Sequence, residues 1–343
     1  MYCELHCHTH YSLLDGASSP EALLDRAVAL EMPAMAITDH DNLCGSVLFW
    51  RSAQKRGIHA IVGAEITLAH GSHLTLLAET QEGYANLSRL IATGMLAIID
   101  RGAATDAATR RTPRLTIDDV AHHAAGLLCL SGCHHGAVAA AVATGDADRA
   151  RKAAGRLADI FGRDRFWIEL QRHWLPEDAL LDAGLQQVAR DAGVDVVATN
   201  DVHYAEPEGY QLHDILTATR YNTSVGRLGV RRRPNNEYYL KSAADMEALF
   251  ADCPRALAVT SEIAERCRVS LDFSTRRLPA FPAQSPDFPH GVPADSTPFH
   301  MLHTLCQEGL QRKFRPITPA AVRQLAHELA VIMKAGLVDY FLI

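Results

Sequence analysis

The chain holds no Cys-x-x-Cys pair, although it contains eight cysteines. That scatter of thiols argues against a disulfide framework and suits a reduced cytoplasm. There is no charged-then-apolar leader and no apolar run of membrane-spanning length, so a membrane is not an expected partner. A Gly-x-Ser-x-Gly turn and a P-loop are both missing, which leaves no support for a serine-nucleophile hydrolase or a Walker-type nucleotide site. Positive charge is also scarce: 33 Lys and Arg against 40 Asp and Glu give a formal charge of -7. The surface as a whole does not attract phosphate, so phosphate specificity must come from a local site, where bound divalent cations reverse the sign.

What the chain has in abundance is histidine, 18 in 343 residues. Short apolar runs alternate with amphipathic stretches, the pattern of β-α units around a sheet or barrel. Seven strands are expected, near Tyr2 to Leu5, Ala34 to Thr38, His59 to Gly63, Leu74 to Ala78, Gly126 to Ser131, Phe166 to Leu170 and Asp195 to Thr199. Ser19-Pro20-Glu21 opens a helix with Ser as N-cap and Pro in the first turn, carrying Leu23, Leu24, Ala27 and Leu30 on one face. Further helices fit Leu43 to Lys55, Tyr84 to Met95, Ala147 to Phe161 and Leu180 to Ala192. Pro279, Pro282, Pro286, Pro289 and Pro293 then mark an extended linker. The organisation expected is a domain over 1–274, a linker over 275–298, and the helical start of another region over 299–343. The apolar stretch from Gly336 to Ile343 reads as the cut end of something longer.

The histidines fall where strands end. His6 and His8 follow the first expected strand, and the two-residue period of an extended chain puts both imidazoles on one side. His40 follows the second strand, Glu65 the third, Cys133 a later one, and Asp201 and His203 the last; Asp15-Gly16 lies in a turn after His8. Strand C-termini are where barrel enzymes place catalytic groups. A structural explanation would need a separate reason for each residue, so a metal centre is the better reading. Asp39 and Asp41 are set aside as N-caps of the next helix. Imidazoles, carboxylates and one thiol suit Zn²⁺, Mn²⁺ or Fe²⁺ better than Mg²⁺. The donors are too many for one ion and imply two or three, bridged by Glu65. Ions about 3.5–4 Å apart stabilise the attacking and leaving oxygens of a phosphoester. Glu65 and Asp201 are the carboxylates expected to position them.

Taken together, His6-x-His8, Asp15-Gly16, Ile37-Thr38-Asp39-His40, Gly63-Ala64-Glu65, Leu130-Ser131-Gly132-Cys133 and Ala198-Thr199-Asn200-Asp201-Val202-His203 resemble the polymerase and histidinol phosphatase (PHP) domain. Adding His73-Leu74-Thr75-Leu76-Leu77-Ala78, Asn236-Glu237-Tyr238-Tyr239-Leu240-Lys241-Ser242 and Ile263-Ala264-Glu265-Arg266-Cys267, nearly the whole chain resembles the start of a bacterial C-family DNA polymerase, replicative or error-prone. The resemblance implies an α/β fold, a distorted seven-stranded β/α barrel, with up to three ions. One would lie on His6, His8, Asp201 and Glu65, a second on Glu65, His73 and Cys133, and a third on Asp15, His40 and His203. His73 rests on the resemblance alone, since it precedes its strand. The resemblance further implies a 3′-5′ exonuclease acting on DNA, with replication or translesion polymerase subunits as partners. A stand-alone phosphatase and a metal-stabilised scaffold are the competing readings. Arg231, Arg232 and Arg233 are candidates for phosphate contacts. His10, His59, His70, His122 and His123 are expected to be surface or packing residues.

Overall fold

The computed structural model describes residues 2–99, 115–272, 279–281 and 297–343. Two compact units are present, 1–271 and 272–343. In the first, strands β1 (Ala34–Ile37), β2 (His59–Thr67), β3 (His73–Ala78), β4 (Leu127–Leu130), β5 (Phe166–Gln171) and β6 (Val196–Thr199) pair in sequence order as one sheet. The helices of this unit are α1 (Pro20–Ala29), α2 (Ser46–Arg56), α3 (Gln81–Ile99), α4 (Ile117–His122), α5 (Ala137–Ala143), α6 (Ala147–Phe161), α7 (Asp178–Ala192), α8 (Tyr210–Arg220), α9 (Ala243–Leu249) and α10 (Pro254–Arg266). The expected cap of α1 forms, with Ser19 Oγ accepting from the Ala22 N–H.

Among the described residues the sheet has six strands where seven were expected. The first expected strand is extended, but it joins its neighbours only by isolated parallel bridges, Glu4 to Met35 and Cys7 to Val202. Side chains capture its amides and interrupt the ladder: Thr260 Oγ1 takes the Cys3 N–H, Glu4 Oε1 the His6 N–H, and Thr38 Oγ1 the Cys7 N–H. The segment 2–8 nonetheless spans the gap between β1 and the residues after β6, through Ala36 N–H to Glu4 O and Val202 N–H to His6 O.

A second departure is one of direction. β3 runs antiparallel to both neighbours, whereas β1–β2, β4–β5 and β5–β6 are parallel. Only Leu68 to Ser72 separate β2 from β3, too few for a crossover helix. The Leu68 N–H instead bonds Ser72 O across a turn in which Gly71 holds φ +88°. Glycine adopts that left-handed geometry without steric cost.

Both faces of the sheet are covered, which explains the continuous apolar runs. Met35, Ile37, Val62 and Leu76 join the core formed with α1, α2, α3 and α6. Their alternates Ala34, Ala36, Ile61, Leu77, Trp167 and Val197 pack with Val259, Ile263 and Ala264 of α10. Along this second face, alternation carries apolar residues into polar ones. Ile61 is followed by Gly63 and Glu65, Trp167 by Glu169 and Gln171, and Val197 by Thr199 and Asp201. The interior is dry at one end and lined with donors and acceptors at the other.

The second unit contains α11 (Pro298–Lys313), α12 (Pro319–Lys334) and α13 (Val338–Leu342). The expected linker lies largely outside the described residues. Tyr340, Phe341 and Ile343 are exposed. No helix among the described residues is long and apolar enough to cross a membrane.

Candidate metal centre

The polar end of the interior gathers all nine residues singled out in the sequence. His6, His8, Glu65, Asp201 and His203 are buried, as are Asp15 and Cys133, while His40 and His73 are half-buried at the mouth. His8 Nε2 lies 3.6 Å from Glu65 Oε2 and 3.5 Å from Asp201 Oδ1; His6 Nε2 lies 3.6 Å from Glu65 Oε1 and 3.7 Å from Asp201 Oδ1. These separations are too long for hydrogen bonds, and both Nε2 atoms are buried without a hydrogen-bond partner.

The other ring nitrogens are tied back. His6 Nδ1 is 2.6 Å from Glu169 Oε1, and Glu169 also accepts from Gln171 and Thr199. His8 Nδ1 is 3.0 Å from Ser12 Oγ, which donates to Asp39 Oδ1 at 2.8 Å. Each arrangement places a proton on Nδ1 and leaves the Nε2 lone pair facing the carboxylates, the outer-shell device by which proteins orient metal-binding histidines. Asp39 is therefore a support beneath the site and not the helix cap expected. Asp41 likewise accepts from the Thr67 N–H and hydroxyl, and α2 is capped by Gly45.

Glu65 presents its two oxygens to different partners: Oε1 lies 3.0 Å from His73 Nδ1, and Oε2 lies 2.9 Å from His40 Nδ1. Cys133 Sγ is 3.5 Å from His73 Nδ1, so Glu65, His73 and Cys133 form one compact donor group. The reversal of β3 explains His73. Its N-terminal end sits at the rim where the parallel strands have their C-terminal ends, and Thr67 pairs with His73 across the hairpin.

Protonation in the metal-free site follows from this crowding. Burial disfavours the charged form of His6, but Glu169, Glu65 and Asp201 outweigh it and lift its pKa to about 10. Against burial, His40 and His73 hold Glu65 well below the usual carboxylate range, and Arg233 and His203 do the same for Asp201. Burial, then Glu65 and Asp201, pushes the Cys133 thiol well above its ordinary value; a thiolate there requires a cation beside it. Imidazole nitrogens without hydrogen-bond partners, facing buried carboxylates, fit divalent cations, which would displace the proton from His6.

The three arginines diverge. Arg231 stacks on Tyr221 and Arg232 pairs with Asp214. Arg233 alone enters the site, 3.3 Å from Asp201 Oδ2 and against His203 Nε2, with its guanidinium over Tyr238 at 3.9 Å. Of the histidines expected to pack, His59 does so, its Nε2 bonding the Ala264 and Cys267 carbonyls. Two residues at the site carry no strand-end signal. Glu169 lies inside β5, and His213 lies in α8 and joins Asp15 and His203 in a further donor group.

The sequence profile of the PHP domain matches residues 4–173, the stretch that carries His6, His8, Asp15, His40, Glu65, His73 and Cys133. The chain carries a PHP domain of the DNA polymerase III alpha and error-prone DNA polymerase type. Over its full length it is 38% identical to the error-prone DNA polymerase of Symbiobacterium thermophilum, of which it spans 31%. It is 32% identical to DNA polymerase III subunit alpha of Treponema pallidum, of which it spans 29%. The chain thus covers under a third of these relatives' length. Among solved structures, a two-domain protein from Bacteroides vulgatus containing a predicted PHP-like metal-dependent phosphoesterase aligns with 59% of this chain and 52% of its own, at 18% identity and a TM-score of 0.34.

Proposed function

We propose that this domain hydrolyses phosphodiester bonds at the 3′ end of DNA, as part of a DNA polymerase of the polymerase III alpha or error-prone type. Two or three divalent ions, zinc or manganese by the donor chemistry, with iron as a further fit, would be held by His6, His8, Asp15, His40, Glu65, His73, Cys133, Asp201 and His203. The observation that carries this reading is the pair of buried, unpartnered Nε2 atoms of His6 and His8 facing Glu65 and Asp201. When bound, such ions supply Lewis acidity toward phosphoryl oxygens and activate water at neutral pH.

The chain's own groups do the rest. Glu65, with one oxygen toward His6 and His73 and the other toward His8 and His40, is arranged as a bridging carboxylate. Glu169 and Ser12 hold the Nδ1 side of the two first imidazoles, so that Nε2 of each would be the atom offered to an ion. Arg233, its side chain 17% exposed, offers a guanidinium fork to a phosphate oxygen at the mouth. With a net charge of -7, attraction of a DNA end falls to this local positive field. Replication or translesion polymerase subunits are the proposed protein partners.

The test is a 3′-labelled single-stranded DNA assay on the full chain with Mn²⁺ or Zn²⁺, beside His8→Ala. Stepwise shortening from the 3′ end, lost in the variant, supports the reading. Metal-loaded protein that leaves DNA intact overturns it. Turnover of a phosphomonoester would then favour a phosphatase, and a chelator-sensitive melting temperature without turnover a scaffold.

A further inference from the structure

The resemblance divides the donors so that His40 shares an ion with Asp15 and His203. The geometry adds a candidate to that set. His40 lies between two donor groups, with Nδ1 2.9 Å from Glu65 Oε2 and Nε2 3.0 Å from Asp15 Oδ2, and it forms a compact group with His8 and Glu65. The other oxygen of Asp15, Oδ1, lies 3.4 Å from His203 Nδ1 and 3.4 Å from His213 Nε2. Both nitrogens are buried with no hydrogen-bond partner, on residues that are 1% and 3% exposed. An imidazole nitrogen hidden from water and left unpaired costs about 1–3 kcal/mol. Two on one carboxylate oxygen form a cradle that a cation satisfies.

His203 is poised for this. His203 Nε2 faces both Asp201 Oδ1, at 3.1 Å, and the Arg233 guanidinium. The tautomer that donates Nε2–H to Asp201 turns the Nδ1 lone pair to Asp15 and His213, and it requires the guanidinium to give up Nε2 and keep its Asp201 Oδ2 contact. The His203 and His213 rings stand at 75° with centroids 5.4 Å apart, so their nitrogens converge on Asp15 and do not stack. The fold sets α8 at this distance deliberately close. Gly209, just before α8, lies against Tyr204, where a Cβ would come within 2.4 Å of Tyr204 Cβ. The residue after His203 and the residue opening α8 are thereby in contact, and the fourth residue of the helix reaches Asp15.

We propose that Asp15 Oδ1, His203 Nδ1 and His213 Nε2 hold one divalent ion, making His213 a protein ligand in addition to the nine. This rests on the reading of the cluster as a metal centre but not on any activity toward DNA. Two imidazoles and one carboxylate leave positions open on an ion of the zinc, manganese or iron class. Arg220, 3.8 Å from Asp15 Oδ2, and Arg233, against His203, border the donor group, so an anionic substrate oxygen is what an ion held there would accept.

The experiment is elemental analysis of the full chain, stripped and reloaded with Zn²⁺, for the wild type, His213→Ala and His40→Ala, with anomalous scattering at the zinc edge from wild-type crystals. A loss of about one ion per chain in His213→Ala, and a peak at about 2.0–2.1 Å from His213 Nε2, are the expected results. The diffraction arm uses only the wild type and stands even if the variant fails to fold. Unchanged zinc content in His213→Ala, or a peak on His40 with none at His213, overturns this proposal while leaving the centre intact. A wild-type chain that takes up no divalent ion overturns the metal centre itself and this ligand with it.

Discussion

His73 and Thr67 face each other across the antiparallel β2–β3 pair, and this places an imidazole that precedes its strand beside imidazoles that follow theirs. The short Leu68 to Ser72 turn thus decides which residues reach the rim. Three consequences of the geometry are open to measurement.

Glu169 is buried inside β5 and holds His6 Nδ1 at 2.6 Å. Glu169→Gln keeps the shape and removes the charge that fixes the ring. Loss of such an outer-shell partner typically weakens metal binding by about 10–100-fold. A chelator competition on wild type and variant reads this directly, and equal affinities would remove Glu169 from the account of the site.

Gly16 follows Asp15, and a Cβ on it would lie 2.0 Å from the Thr9 carbonyl oxygen. The nearest atoms are all Thr9 backbone, so no flexible side chain can yield. Gly16→Ala is expected to lower stability in urea by about 1–3 kcal/mol and to reduce metal content by displacing Asp15. A variant matching the wild type in both would show that the 9–18 loop has slack.

His173 is buried, stacks on Tyr238 and bonds the Asn200 carbonyl. Burial holds its pKa at about 3, below the ordinary value of about 6.5. Between these limits the unfolded chain binds a proton that the folded chain refuses. The contribution is complete above about pH 6.5 and declines by about 1.4 kcal/mol per unit as pH falls toward 3. In metal-free protein, His173→Gln should show an acid limb shallower by one proton; parallel limbs would assign the acid sensitivity elsewhere.

Much of the site was legible because strand-end residues announce themselves by position: His6, His8, His40, Glu65, Cys133, Asp201 and His203 each follow an apolar run. His73 needed strand direction, which a five-residue turn encodes only weakly. His213 lies in a helix, where histidine at a buried position reads as packing. Glu169 sits within an apolar strand, Phe166–Gln171, whose inward alternation becomes meaningful only once its neighbours are known. The missing seventh strand has a similar cause. The composition of 2–8 suits a strand, but Thr260, Glu4 and Thr38 supply the partners its amides would otherwise find in a ladder.

The segment 2–8 closes the gap between β1 and Val202, and its two histidines belong to the centre. Val202 leaves the ribosome some 195 residues after Cys7, which at about 5–20 residues per second is roughly 10–40 s. Through that interval His6 and His8 lack their Asp201 partner, so a nascent chain cannot trap an ion in the finished geometry before its sheet is closed. Under the proposed metal reading, an ion held by the complete set would load only after Asp201 has been made, and its uptake would report on whether the sheet has closed.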